Sequence, residues 1–486
     1  MSAGPPDGEP LAAIAQASVP PGQAKAGEKL FNKAFPHTNG RHCGTCHVKE
    51  EHLALSPANV EARFAANPNE LLFHPIDADN PTASPLTFNN LRQGLVRVKV
   101  RLADNLDLIQ VPPIELAFAP SGLVEAWWND NVVLGSRLGD PLPPGKLPEI
   151  ITPADRMIEL WRAVPSVENT AISSPFLYDG RETDLADQAL GALINHSQLT
   201  GSVGNGKLEL VAQFQRTLFT SDRAKSVAQQ LEAGIPLDSI PKPETNDPAF
   251  AVGQDVYEQF CTACHGKATD SRVENEGVRA GVIFEVDHQG NTLWQIINGI
   301  PVATNAPRPG NEFLNIGTTI QTYFGQITKG FPPNPLLPAT NKQADFPRYR
   351  LRFYTNGSRT TQVADLPPLM VHDPNNPFAA PARPDGSLIA GPNFVPQLWT
   401  TDPGRAVITG DYADFEAFNI PQLRGIANTA PYFHDNMAAD LTAVVDIYSQ
   451  FILPFIPILN PTNIPGGQHV ISAADRAALV QFLSHF

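Results

Sequence analysis

Cysteine is scarce in this chain. The 486 residues contain four, at positions 43, 46, 261 and 264, and their local pattern leaves none over for a disulfide framework. No apolar run is long enough to cross a bilayer. The opening MSAGPPDGEP has neither the charged nor the apolar region of a signal peptide. Positive charge is also short: 34 Lys and Arg against 49 Asp and Glu give a net charge of -15 and a pI near 5.2. That balance argues against nucleic acid and favours small molecules or a basic redox protein as partners. What the chain does have is proline, 48 residues against 35 glycines, so much of it is loop with a fixed φ. An apolar fraction of 42% is still that of a globular protein. The length suits two or three domains.

All four cysteines sit in CxxCH. Cys43 and Cys46 precede His47, and Cys261 and Cys264 precede His265. Cysteines one helical turn apart match the two vinyl-derived arms of a porphyrin, and the adjoining histidine reaches the iron from one face. Zinc is the competing reading, but a zinc ribbon separates its CxxC pairs by about 15–20 residues. Here much of the chain lies between them, and a thioredoxin-like pair does not explain a histidine after both. The motifs predict two covalently bound haems c, with His47 and His265 as proximal ligands. The four methionines, Met1, Met157, Met370 and Met437, include no simple downstream ligand of the small-cytochrome kind, which weighs against a plain electron carrier.

The chain reads as two related halves. Ala26–Phe35 and Ala249–Phe260 have the apolar spacing of helices that lead into the two motifs. Leu208–Phe219 and Ser472–Phe486 read as closing helices, with Ser472 as an N-cap. The Pro-rich polar segment Gly234–Asp247 places a boundary near residue 245. The expected fold is mainly α: two fused class I cytochrome c-like domains, 1–245 and 246–486, with loop-rich insertions at about 48–160 and about 270–400. Inside the first insertion, Leu95–Leu102 alternates as a strand, turns at Ala103–Asn105 and continues as Leu106–Val111, predicting a small β-hairpin. Proline clusters near Pro332–Pro338 and Pro367–Pro384 mark the second insertion. Such loops choose partners or simply cover a haem edge.

Two further segments, Arg162–Gly191 and Phe418–Asp435, resemble the bacterial di-haem cytochrome c peroxidase and MauG family. With both CxxCH motifs and the closing helices, the resemblance spans both halves but not the insertions. It implies an open N-terminal haem that meets peroxide and a C-terminal haem that stores or relays electrons. Tyr448 falls where the peroxidase branch has a methionine ligand to the C-terminal haem and the MauG-like branch a tyrosine. An anionic phenolate there lowers the reduction potential, while a core aromatic is the plainer reading.

Gln198 matches the family's active-site glutamate over the open haem. An amide cannot titrate, so it orients peroxide by hydrogen bonds and cannot shuttle its proton. Nearby His196 is the alternative base, or else a surface-loop histidine. Gln188 matches a distal-pocket glutamine, and Tyr178 stands where the family generally has a tryptophan between the haems. Thr429 and Pro431 match carbonyl donors to an interdomain Ca²⁺, but Ala163 replaces its Asn ligand. His52 and His74 follow the first motif outside any recognisable register, and His434 matches a structural or propionate-binding histidine.

The resemblance implies an oxidoreductase that uses hydrogen peroxide to form high-valent iron shared between two haems. Its electrons come from a small donor protein or an organic substrate. The alternatives are an O₂-using oxygenase similar to the rubber oxygenases, and a non-catalytic electron carrier or redox sensor. Haem c is attached outside the bacterial cytoplasmic membrane, so a periplasmic or otherwise exported protein is expected, here without its leader. A homodimer is compatible with the resemblance, and no membrane span is expected.

Overall fold

Two helix pairs repeat the same crossing. Helix Pro21–Phe31, opened by a proline in its first turn, packs on Asn205–Arg216, and helix Pro248–Phe260 packs on Ala473–Leu483. Each crossing depends on a glycine. A Cβ on Gly27 would lie 1.9 Å from the Leu210 carbonyl oxygen, and one on Gly253 would lie 2.2 Å from that of Ala478. One turn on, Phe31 meets the ring of Phe214 at 5.3 Å and Tyr257 meets that of Phe482 at 5.5 Å. Ser472 caps the last helix, its hydroxyl accepting from the Asp475 N–H at 3.2 Å. The computed structural model describes residues 18–110, 149–173, 175–235, 248–265, 295–297, 300–302, 313–314, 346–347, 349–366, 400–453, 464 and 468–485. The Pro-rich boundary segment from 236 to 247 and the proline clusters at 332–338 and 367–384 lie outside these residues.

Around each crossing sits a core. One holds Phe31, Phe35, Leu193 and Val211, and the other Tyr257, Val445, Leu479 and Phe482. A third core belongs to neither helix pair. It is built on β1 (Leu95–Arg101), β2 (Leu106–Gln110), β4 (Met157–Ala163), β8 (Leu351–Tyr354) and β9 (Gln362–Leu366). Between these lie the short strands β3 (Glu149–Ile150), β5 (Gln295–Ile297), β6 (Ile300–Val302) and β7 (Phe313–Leu314), and β10 (Phe418–Asn419) follows.

The expected hairpin is not formed. β1 pairs with β4, Leu95 opposite Ala163 and Arg101 opposite Met157, while β2 lies inside a four-stranded sheet ordered β3-β2-β8-β9. Both strands bury the apolar side chains that predicted them, but alternation identifies a strand and not its partner. The connector is held elsewhere: the Asn105 amide donates to the carbonyls of Tyr354 (3.0 Å) and Gly410 (2.8 Å). The pairing of β2 with β8 also means that the two insertions are not independent loops. They share one sheet and one core. Among the described residues no helix is long and apolar enough to cross a membrane.

The last residues of β4 join the β1-β4 ladder to residues from both halves of the chain. Arg162 is buried, and its guanidinium donates to both Asp402 oxygens (2.7 and 2.9 Å) and to Asp179 (2.6 Å). The next N–H, of Ala163, donates to the His434 carbonyl at 2.7 Å. Burial opposes the Asp179 charge, but the Arg181 and Arg162 guanidiniums outweigh it and hold the carboxyl well below its usual range.

Gly253→Ala should cost about 1–3 kcal/mol through overpacking of the helix crossing, read from the urea midpoint. Arg162→Met should cost about 3–5 kcal/mol, because two carboxylates are left buried without their cation. A depressed carboxyl stabilises the fold above its unfolded pKa of about 3.9 and loses that contribution as pH falls through the folded value. The midpoint should therefore drop below about pH 4, and Asp179→Asn should lack that part of the slope.

Candidate functional site

The first motif opens a single helical turn, Cys43–Cys46, capped by the His42 N–H donating to the Thr45 hydroxyl at 3.1 Å. His47 ends the turn. His52 and Leu53 then take left-handed backbone, at φ 53° and 58°, and a bridge between Val48 and Ala54 closes the loop. That loop returns the Leu53 carbonyl to within 2.8 Å of His47 Nδ1. The second motif does the same with a distant partner. His265 ends helix Thr262–His265, its Nδ1 lies 3.2 Å from the Pro421 carbonyl, and its own carbonyl accepts from the Tyr257 hydroxyl at 3.3 Å. The Cys264 side chain lies outside the described residues.

Both imidazoles are kept neutral by burial, which lowers the pKa of His47 and takes that of His265 down to about 4. A neutral ring whose Nδ1–H is donated to a carbonyl leaves Nε2 as a metal ligand. The thiols point the same way. Burial raises Cys43 to about 12 and Cys46 to about 11, so neither is the free thiolate that a nucleophile requires. Cys43, Cys46 and Cys261 form no disulfide. Two cysteines one helical turn apart beside a neutral histidine fit thioether attachment of haem c.

One cavity of about 530 Å³ reaches both motifs. Its wall includes His47, His265, Tyr178, Gln188, His196, His434 and Tyr448. Its volume falls within the range of about 300–1,000 Å³ usual for ligand sites. Helix Leu185–Ser197 brings Gln188 and His196 to the wall one turn either side of Ala192. The His196 carbonyl is held by the Asn39 amide at 3.1 Å, and its ring nitrogen Nδ1 is buried without a hydrogen-bond partner. Burial lowers its pKa to about 4, so the ring is an uncharged base. Tyr448 follows helix Leu441–Ile447 and begins a π-helical turn, Tyr448–Ile452, with its ring 6.3 Å from that of Phe433. Phe418 stacks on the His434 ring at 4.2 Å, and Tyr178, in the same wall, lies edge-on to that ring at 6.5 Å. Burial pushes its phenol well above the ordinary range.

The structure does not bring Gln198 to the cavity. Helix Leu185–Ser197 terminates there, with Gln198 in left-handed backbone at φ 51° and its side chain exposed, 3.4 Å from the Asn39 amide. A terminator of this kind turns the side chain away from the face that its neighbours share. His52 and His74 are also absent from the wall. His52 faces Glu168 at 3.4 Å, and His74 caps a short helix by accepting from the Ile76 N–H. Thr429, Pro431 and Ala163 all line the cavity. Among the described residues no group of three or more His, Cys, Asp or Glu forms a metal cage. Sequence reasoning missed Arg162 and Ala192. The first has its partners far along the chain. The second carries a signal, the parallel between Pro175-Phe-Leu-Tyr-Asp179 and Pro431-Tyr-Phe-His-Asp435, that was there to be read.

No family model matches the chain. A stretch of 50 residues is 46% identical to the cytochrome-c peroxidase IdrP2 of Denitromonas iodatirespirans, covering 10% of this chain and 14% of that relative. Among solved structures, a MauG-like protein associated with microbial copper homeostasis superposes with a TM-score of 0.38 at 14% identity, over 96% of this chain and 89% of that one. Both CxxCH motifs reach one cavity, and the local similarity of the chain is to a cytochrome-c peroxidase of which it covers 14%.

Proposed function

We propose that this protein is a di-haem oxidoreductase that reduces hydrogen peroxide at the Cys43/Cys46 site and draws its electrons through the Cys261/Cys264 site. The observation that carries this reading is a single cavity with two neutral, carbonyl-anchored histidines and unequal walls. One wall carries Gln188 and His196, and the other carries Tyr448. Bound there, two c-type haems supply the one-electron chemistry that reduces peroxide and stores oxidising equivalents, shared between the two sites.

The residues of the chain do the rest. Leu53 and Pro421 carbonyls orient His47 and His265 and raise their basicity toward iron. His196, neutral and desolvated, accepts the proton of the bound peroxide oxygen and returns it to the departing one, so that peroxide, two electrons and two protons leave as two waters. Gln188 orients peroxide by hydrogen bonding. Tyr448 would hold the second haem through its hydroxyl oxygen, an anionic donor that would lower the potential there. Tyr178, in the wall between the halves, passes charge between them. Carbonyls of Thr429 and Pro431 with water would supply a Ca²⁺ site with the oxygen ligands that ion prefers, without the side-chain ligand that Ala163 lacks.

The donor is a small redox protein or an organic molecule, and the protein works in the periplasm or outside the cell. A second reading is an oxygenase that binds O₂. It is favoured by helix Leu185–Ser197, which presents an amide and an imidazole to the cavity and no carboxylate.

The ferric protein should show one high-spin and one low-spin signal by EPR, and stoichiometric peroxide should abolish both. Two low-spin signals inert to peroxide would sink the proposal. His196→Ala should slow the reaction with peroxide by about 10²–10⁴-fold while two haems remain attached, measured by stopped-flow absorbance.

A further inference from the structure

The two far walls of the cavity are copies of one structural element. Asn169 and Gly425 both take left-handed backbone, at φ 59° and 78°, and each leads into a short 3-10 turn, Thr170–Ile172 and Ile426–Asn428. Leu177 and Phe433 then share a φ of 70°, an unusual conformation for bulky residues. The bridge Phe176–Glu182 has its counterpart in Tyr432–Ala438. Gly180 and Asn436 turn the chain at φ 62° and 57°, and Asp184 and Asp440 cap the helices that follow. Every one of these pairs is separated by the same number of residues.

Carried along both helices, that register sets Ala192 against Tyr448. The side chains one turn before are Gln188 and Val444, and one turn after are His196 and Ile452. All six line the cavity. The first copy therefore has a methyl group where the second has a phenol, flanked by polar groups where the second has apolar ones. The first helix also continues as α-helix through Ala192 to Ser197, whereas the second widens into its π-helical turn at Tyr448.

We propose that Ala192 is the specificity-determining residue that leaves the Cys43/Cys46 site open to exogenous ligands, as the register counterpart of the Tyr448 that closes the other. A methyl group at Ala192 leaves as a gap the space that a phenol ring takes at Tyr448. Gln188 and His196 line that gap with a donor and an acceptor, so it takes a small hydrogen-bonding ligand such as peroxide or cyanide. In the second copy the tyrosine fills the equivalent space and Val444 and Ile452 keep water from it. The inference rests on the haem assignment made above.

Cyanide titration of the ferric holoprotein separates the two, because it counts open irons without turnover. Haem content is measured in parallel from the pyridine haemochrome. The wild-type protein should carry two haems and bind one cyanide. Ala192→Tyr should lower cyanide affinity at least 100-fold and remove the high-spin EPR signal. Tyr448→Ala should bind two, which keeps the test decisive if the bulkier substitution at 192 fails to fold. Two haems with one tight cyanide in both variants would overturn the role of Ala192 alone. Fewer than two haems in the wild-type protein would overturn the haem assignment and this inference with it.

Discussion

The position of the cavity depends on one buried cation. Arg162 lies at the end of β4, in the two-stranded β1-β4 ladder, and its guanidinium is divided between Asp179, in the turn that carries Tyr178, and Asp402, which belongs to the second half of the chain. A guanidinium suits this place because its planar fork satisfies two carboxylates at once, one of them bidentately. Burial would make any of the three charges costly alone, so the group holds together or not at all. Beside it the Ala163 N–H grips the His434 carbonyl, and Asn419 grips the turn from the other side through the Tyr178 carbonyl at 2.8 Å. Sheet, first half and second half are thereby locked at the wall where Tyr178, His434 and Phe418 meet.

Around that lock the two histidine sites solve one problem in two ways. A ligating imidazole needs its Nδ1–H tied to an acceptor so that Nε2 is presented with a fixed tautomer. His47 finds the acceptor six residues on, through a tight loop with two consecutive left-handed residues. His265 finds it at Pro421, some way past the second insertion. The first site is thus organised locally, while the second exists only once the chain from the insertion has returned.

Much of this was legible along the chain. CxxCH is a linear pattern, and periodicity marks a helix ahead of each motif, although the first spans Pro21–Phe31 and stops short of the expected Phe35. Strands at Leu95–Arg101 and Leu106–Gln110 were equally clear. Their partners were not, because an alternating strand advertises a buried face and carries no record of which neighbour covers it. Gln198 shows the same limit at a single residue. Resemblance put it over the haem, yet the left-handed helix terminus turns it to solvent and leaves His196, two residues earlier, on the wall.

What the sequence determined by itself is therefore the local chemistry: two thiol pairs with their histidines, helices of the right period to pack beside them, and an acidic surface. Those depend on residues close in the chain, whose geometry is set by one helical turn. Only the tertiary structure decided that both motifs open onto one cavity, that the insertions share a sheet, and that Arg162 joins carboxylates 17 and 240 positions away. Contacts of that range arise when apolar faces and buried charges find their partners in the folded chain, and no local pattern encodes the pairing.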